Sequence, residues 1–168
     1  MTWATDDIFV AGGDYVSANW AEFQAQAGVN AVVTLSTDGP PTYGEPRPWA
    51  ALCLPVADEA AWTPAHLSLG VAFIDAALAA GHKVLLHAPA GLHRTRPLVA
   101  AHLLARGRSL ARVLRDLEAK PWLPPYKGSR EVLEQWGAQL PGKAKPPALK
   151  IRDSGDAGAS GDFGPMPE

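Results

Sequence analysis

Residues 84–95 read VLLHAPAGLHRT. The apolar run Lys83–His87 has the length and composition of a buried strand. A turn through Gly91 follows, and Pro97 opens a helical pattern. Successive backbone N–H groups in such a strand-to-helix turn converge on one anion, and the helix N-terminus adds partial positive charge. Arg94 stands where a planar guanidinium can bond two oxygens at once. A tetrahedral oxyanion such as phosphate or sulfate fits this arrangement. The candidate binding run is therefore Ala88, Pro89, Ala90, Gly91, Leu92, His93 and Arg94. His87 supports the loop by hydrogen bonding. His93 either reaches a bound anion or is solvated. The competing role for Arg94 is an ion pair with a carboxylate at the helix start.

The elements that must position this loop alternate between strand and helix. Ile8–Ala11 is a short apolar run closed by Gly12-Gly13, hence a strand and a turn. Asn19 with Glu22 forms a possible capping box for a helix carrying Trp20, Phe23 and Ala27, with Gly28 as its stop. Val29–Ser36 and Trp49–Val56 read as strands, and the proline-rich stretch 37–48 between them reads as loop. Thr63-Pro64 opens a helix with Leu67, Val71, Ile74 and Leu78 on one face, and Gly81 ends it. After the loop at 88–95 come three more helices. The first runs Pro97–Ala105; Ser109 and Ser129 cap the other two. Their apolar faces carry Leu110, Val113, Leu114 and Leu117, then Val132, Trp136 and Leu140. The expected architecture is α/β: a central, mainly parallel sheet flanked by helices on both faces, with the ligand crevice at the carboxyl ends of the strands.

Of 168 residues, 47% are apolar and 19% charged, so residues 1–140 can bury one domain's core. From Pro141 to Glu168 the chain is rich in Gly, Pro, Ser and Asp and reads as a solvated tail; an extended segment around Leu149 and Ile151 pinned on the domain is the alternative. A net charge of −2 gives no support to nucleic-acid binding through bulk charge. Arg106, Arg108, Arg112 and Arg115 read as a solvated face rather than a partner site. No apolar run approaches the roughly 20 residues that span a bilayer, and the start lacks the basic and apolar regions of a secretory signal. One cysteine, Cys53, excludes an internal disulfide and a cysteine-based zinc site, and cytoplasmic residence is the default. The many Gly, Pro and Ala residues suggest a GC-rich bacterial genome.

The loop resembles the signature His-Cys-x-x-Gly-x-x-Arg-Ser/Thr of the cysteine-dependent phosphatases, with His87, Gly91, Arg94 and Thr95 at the matching places. The surroundings resemble the dual-specificity branch over roughly residues 5 to 140. Ile8–Gly12 looks like that family's first strand. Leu54-Pro55-Val56-Ala57-Asp58 looks like the segment that carries its general acid, which implies Asp58 for that role. Residues 108–125 look like its penultimate helix and the proline turn after it. The resemblance implies phosphomonoester chemistry by cysteine, aspartate, arginine and water, with no metal and no organic cofactor. Its substrates would be phosphorylated proteins or small phosphate esters. Thr95 would steady the leaving thiolate in an active relative, or here cap the helix. Trp62 would sit near the pocket mouth.

Two departures stand side by side. Ala88 occupies the nucleophile position, and a methyl group cannot form the phosphocysteine on which the family's chemistry depends. Cys53 lies in another strand and cannot substitute. Pro89 removes one N–H from the cradle and biases Ala88 toward extended backbone. The chain is thus expected to be an inactive pseudophosphatase or a knocked-out phosphatase. The alternative from another class is a non-catalytic module holding a phosphate ligand or a partner on the old loop. A third is a bare scaffold.

Overall fold

The computed structural model describes residues 1–89, 91–120 and 130–141. Its strands are β1 (Thr2–Trp3), β2 (Ile8–Gly12), β3 (Val29–Leu35), β4 (Ala50–Leu54) and β5 (Lys83–Ala88). Its α-helices are α1 (Tyr15–Ala18), α2 (Trp20–Ala27), α3 (Pro64–Ala79), α4 (Thr95–Ala105), α5 (Leu110–Glu118) and α6 (Arg130–Ala138), with a single 3₁₀ turn at Glu59–Ala61. The strands form one sheet in the order β1-β2-β5-β3-β4. β2, β5, β3 and β4 run parallel, and β1 is antiparallel on β2. The α/β expectation holds.

β5 is the middle strand, buried on both faces, so its residues are apolar with little alternation. Val84, Leu86 and Ala88 join the larger core beneath α3 to α6, while Leu85 joins the smaller core with α2 residues Trp20 and Phe23. Helix ends follow local chemistry. Thr63 Oγ1 accepts from the His66 N–H at 3.2 Å, and Pro64 takes the first helical position. Ser109 Oγ accepts from the Arg112 N–H. Gly28 ends α2 with φ +67.

The capping box expected at Asn19 and Glu22 does not form. Asn19 closes α1 as well as opening α2, so its amide donates to the Tyr15 carbonyl at 2.8 Å, and Glu22 accepts from Gln26 instead. Neither α1 nor β1 was expected, because four residues and two residues are too short to show a period. Trp49 lies outside β4; it is 53% exposed and packs on His82 with ring centroids 4.4 Å apart. The strand stops at Leu54, where the Val56 N–H folds back onto the Leu54 carbonyl across Pro55. α4 begins at Thr95, two residues before Pro97.

Three of the four arginines read as a solvated face lie by carboxylates: Arg106 bonds Asp75, and Arg108 and Arg112 both lie near Asp116. Among the described residues, no helix is long and apolar enough to cross a membrane. The tail beyond Pro141, the turn at 121–128 and the Ser129 cap lie outside the described residues.

Two glycines separate backbone contact from side-chain contact. A Cβ on Gly12 would lie 2.6 Å from the Gly91 Cα, a backbone atom that cannot rotate away. Gly12→Ala should cost about 1–3 kcal/mol in urea denaturation. A Cβ on Gly70 would meet Leu98 Cδ1 at 2.5 Å, the end of a flexible side chain. Gly70→Ala should stay within about 1 kcal/mol of the parent, because alanine also gains helix propensity. Equal costs for the two would contradict the backbone contact.

Candidate functional site

Pleating turns consecutive residues of β5 to opposite sides of the sheet. His87 faces the side of α1, and Ala88 faces the larger core, where its methyl is fully buried. His87 is 3% exposed, and its Nε2 lies 2.7 Å from the Gly13 carbonyl. A carbonyl only accepts, so Nε2 carries the proton and Nδ1 is left as a lone pair. Among the described residues nothing hydrogen-bonds to that Nδ1. Burial holds the imidazole below its usual pKa, against the opposing pull of the Gly13 carbonyl and the Asp14 charge.

The turn after β2 holds the loop from the other side. The Gly13 N–H donates to the Ala88 carbonyl at 3.1 Å, and Gly12 packs directly on the Gly91 backbone. Gly91 has φ +89, a conformation that side chains resist. The Gly12-Gly13 pair is thus part of the site. Its signal in the sequence was a double glycine closing a strand, read there only as a turn.

Pro89 offers no N–H, and Ala90 lies outside the described residues. Beyond them, no backbone carbonyl among the described residues accepts from the N–H groups of Gly91, Leu92, His93 or Arg94. They lie in the turn that leads into α4; the Thr95 and Arg96 N–H groups of the first helical turn donate to the Leu92 and His93 carbonyls. The Arg94 guanidinium reaches across the strand ends. Its Nη1 donates to the Leu35 carbonyl at 3.0 Å and to the Val56 carbonyl at 3.4 Å. Nε and Nη2 donate to no described residue. Among the described residues no carboxylate pairs with Arg94.

Thr95 is fully buried, and its hydroxyl donates to the Leu92 carbonyl at 2.8 Å. It does not cap α4, whose N-cap is Arg94. Its one proton is already committed beside the loop, not aimed at position 88. Asp58 is exposed, and its carboxylate accepts from the Ala60 and Ala61 N–H groups at 2.8 and 3.0 Å. It caps the 3₁₀ turn. The segment around it does reach the loop. Trp62 is buried, not at a mouth, and its indole N–H donates to the Arg94 carbonyl at 3.1 Å. His93 Nδ1 lies 4.0 Å from Glu59 Oε2.

Glu59 and Arg96 escaped the sequence reading. Burial pushes the Glu59 carboxyl up, against the pull of the Arg96 charge. Arg96 itself is wholly buried in the first turn of α4. An arginine one residue before Pro97 was the available signal, and its neighbour Arg94 masked it. Cys53 sits on the edge strand β4, with β3 between it and β5. Burial raises its thiol pKa, so it is a poor nucleophile.

A pocket of about 250 Å³ opens beside the loop at the carboxyl ends of the strands. Its walls come from α1, the end of β3, the loop at 38–41, His87 and Pro89. Among the described residues, no group of three or more His, Cys, Asp or Glu side chains is placed to hold a metal ion.

No protein-family model and no curated protein sequence matches the chain. Solved structures do. Human DUSP28 is 29% identical, with a TM-score of 0.66, over 79% of this chain and 92% of that one. Tk-PTP in its active form is 26% identical, with a TM-score of 0.66, over 83% of this chain and 98% of that one. The human tyrosine phosphatase-like serine/threonine/tyrosine-interacting protein shares the fold at 18% identity, with a TM-score of 0.67.

The buried imidazoles fix a pH dependence of stability. His87 and His102 are both held below the ordinary value of 6.5, chiefly by burial. The unfolded chain therefore binds these protons more readily than the folded one. Their contribution is complete above that value and is lost as the pH falls below it toward the folded-state values. The urea midpoint should be lower at about pH 5.5 than at about pH 7.5. A flat profile across that window would show that neither imidazole is held neutral by the fold.

Proposed function

We propose that this chain, whose fold is that of the dual-specificity cysteine phosphatases, is a phosphatase-like protein that retains an oxyanion cradle without a nucleophile. One observation carries the reading: in the turn just before an eleven-residue helix, the N–H groups of Gly91 to Arg94 have no backbone acceptor among the described residues. Arg94 complements them. Its anchors on Leu35 and Val56 hold the guanidinium beside the loop and leave Nε and Nη2 for a ligand. The ligand class is a phosphorylated protein or a small phosphate ester, or free phosphate or sulfate. The setting is cytoplasmic.

Three features weaken catalysis together. Ala88 supplies no thiolate, Pro89 withholds one cradle donor, and the Thr95 proton is spent on Leu92. Asp58 fits the general-acid place by its neighbourhood, through Glu59 and Trp62, but its carboxylate is held in a cap. Loss of a nucleophile elsewhere costs on the order of 10⁵–10⁶ in turnover.

The purified chain should hydrolyse aryl phosphates no faster than buffer. It should bind phosphate in the millimolar range, because one missing charge-assisted donor is worth roughly 1.5–3 kcal/mol. Calorimetry or NMR titration measures this. Equal phosphate binding by Arg94→Ala would remove the cradle, and turnover that depends on Arg94 would reveal another nucleophile.

Restoring the thiol separates recent loss from long adaptation. Ala88→Cys places the sulfur in a fully buried position beside Pro89. With one donor short, the single variant should run about 10²–10³ below Ala88→Cys with Pro89→Ala. Alkylation kinetics and phosphate release measure the two variants. Full activity in the single variant would show that Pro89 is no defect and that the chain is an enzyme disabled at one position.

A further inference from the structure

One stripe of α3 floors a groove. Ser68, Val71, Ala72, Asp75, Leu78 and Ala79 recur at helical spacing and line two adjoining cavities that share Asp75. The cavities measure about 470 and 510 Å³. Ala105 and Arg106, at the end of α4, line them too. The first cavity is walled mainly by apolar side chains and reaches Leu140 and Pro141. Trp136 fixes α6 there, since its indole N–H donates to Ser68 Oγ at 2.8 Å. The second cavity carries three carboxylates, Asp6, Asp7 and Asp75. Arg106 matches Asp75 at 3.2 Å. Asp6 and Asp7 are exposed and pair with no cation among the described residues.

The chain that leaves Pro141 complements both cavities. Residues 142–152 read GKAKPPALKIR. Lys143, Lys145, Lys150 and Arg152 are basic, and no residue of the stretch is acidic. The acidic residues of the tail, Asp153, Asp156, Asp162 and Glu168, all come later. Leu149 and Ile151 supply the large apolar side chains. Pro146-Pro147 favours extended backbone, so less entropy is lost on docking. From Ser68 to Ala79 the helix rises about 17 Å at 1.5 Å per residue. Extended chain at about 3.1 Å per residue covers that length in about six residues. A segment that starts at Pro141 therefore reaches Asp6 and Asp7 with residues to spare.

We infer that residues 143–152 of this chain dock in the groove along α3, running from Pro141 toward Asp6 and Asp7. Leu149 and Ile151 cover the apolar stripe, and the basic side chains answer the two unmatched carboxylates. Docking is intramolecular, so the tether holds the segment at high effective concentration beside its groove. The strap ties α3, the end of α4 and the turn before β2 together. It uses none of the residues of the oxyanion cradle, so neither reading rests on the other.

The test is NMR relaxation of the full chain. Backbone order parameters at 148–151 should exceed about 0.6, the upper limit of flexible backbone. In Leu149→Asp with Ile151→Asp they should fall below it, and the amides of Ala72 and Ala79 should shift. Unchanged amides in β5 report that this variant keeps its fold. Asp6→Asn with Asp7→Asn alters exposed positions and should lower the ratio of docked to free segment roughly threefold to tenfold. A nitroxide on Ser154→Cys, with Cys53→Ser, should broaden the amides of Asp7 and Ala79 within one chain. Four results would overturn the proposal. Order parameters below about 0.6 at 148–151 in the parent would leave the groove to another protein. Groove amides that ignore the tail substitutions would separate the segment from the groove. An unchanged ratio in the double asparagine variant would remove the charge match. Broadening found only between a nitroxide-bearing chain and a ¹⁵N-labelled chain mixed with it would assign the groove to a second copy.

Discussion

Backbone meets backbone where Gly12 packs on Gly91, and the loop after β5 depends on that contact. A Cβ at residue 12 would push the loop off the sheet. With the contact made, the Gly13 N–H reaches the Ala88 carbonyl and the Gly13 carbonyl reaches His87. Gly91 then turns at positive φ into α4. The middle strand of the sheet thus ends in a loop held from one side by β2. From the other side Arg94 ties the same loop to the ends of β3 and β4, through the carbonyls of Leu35 and Val56. Trp62 adds a third tie through the Arg94 carbonyl. The loop is a junction of four strands as much as a binding surface.

Two of these ties are structural and do not depend on catalysis. Arg94 and Trp62 hold strand ends together whether or not phosphorus chemistry occurs. Removing Arg94 would leave two carbonyls without a charge-assisted donor, a loss of roughly 1.5–3 kcal/mol per bond. The fold alone therefore gives Arg94 a structural duty at this place. Position 88 carries no such duty. Its side chain is a methyl in the core, and a small apolar residue suits that environment as well as a thiol does.

The architecture was legible because its signals are local and strong. Val29–Leu35 and Lys83–Ala88 are apolar throughout, as strands buried on both faces must be. Thr63-Pro64 and Ser109 opened the helices expected of them. The short pieces failed for want of length, and Asn19 failed because one side chain served two helix ends. The loop was legible as a pattern of residue types, but its bonding was not. Thr95 was expected to face the nucleophile or cap a helix, and it bonds Leu92. The cap that the Asp58 carboxylate makes on its own turn was not read either. Both outcomes depend on which carbonyl or N–H comes within reach, and spacing in sequence carries no such information. Arg96 and Glu59 were missed because a buried charge contradicts expectations of exposure.

The two halves of the site differ in electrostatic character. On the α4 side stand Arg94 and N–H groups with no backbone acceptor among the described residues, which favour negative charge. On the α1 side stand the exposed carboxylates of Asp14 and Asp38, which disfavour it. A single anion spanning both would lose at Asp14 and Asp38 what it gained at Arg94. Salt screens exposed charges over about 8–10 Å, so groups within one pocket still feel each other. Chemistry of opposite sign on the two sides therefore confines an anion to the α4 side. Pro89 stands where the two sides meet. It withholds a donor from the anion side, so one residue weakens the hold of the loop on a dianion.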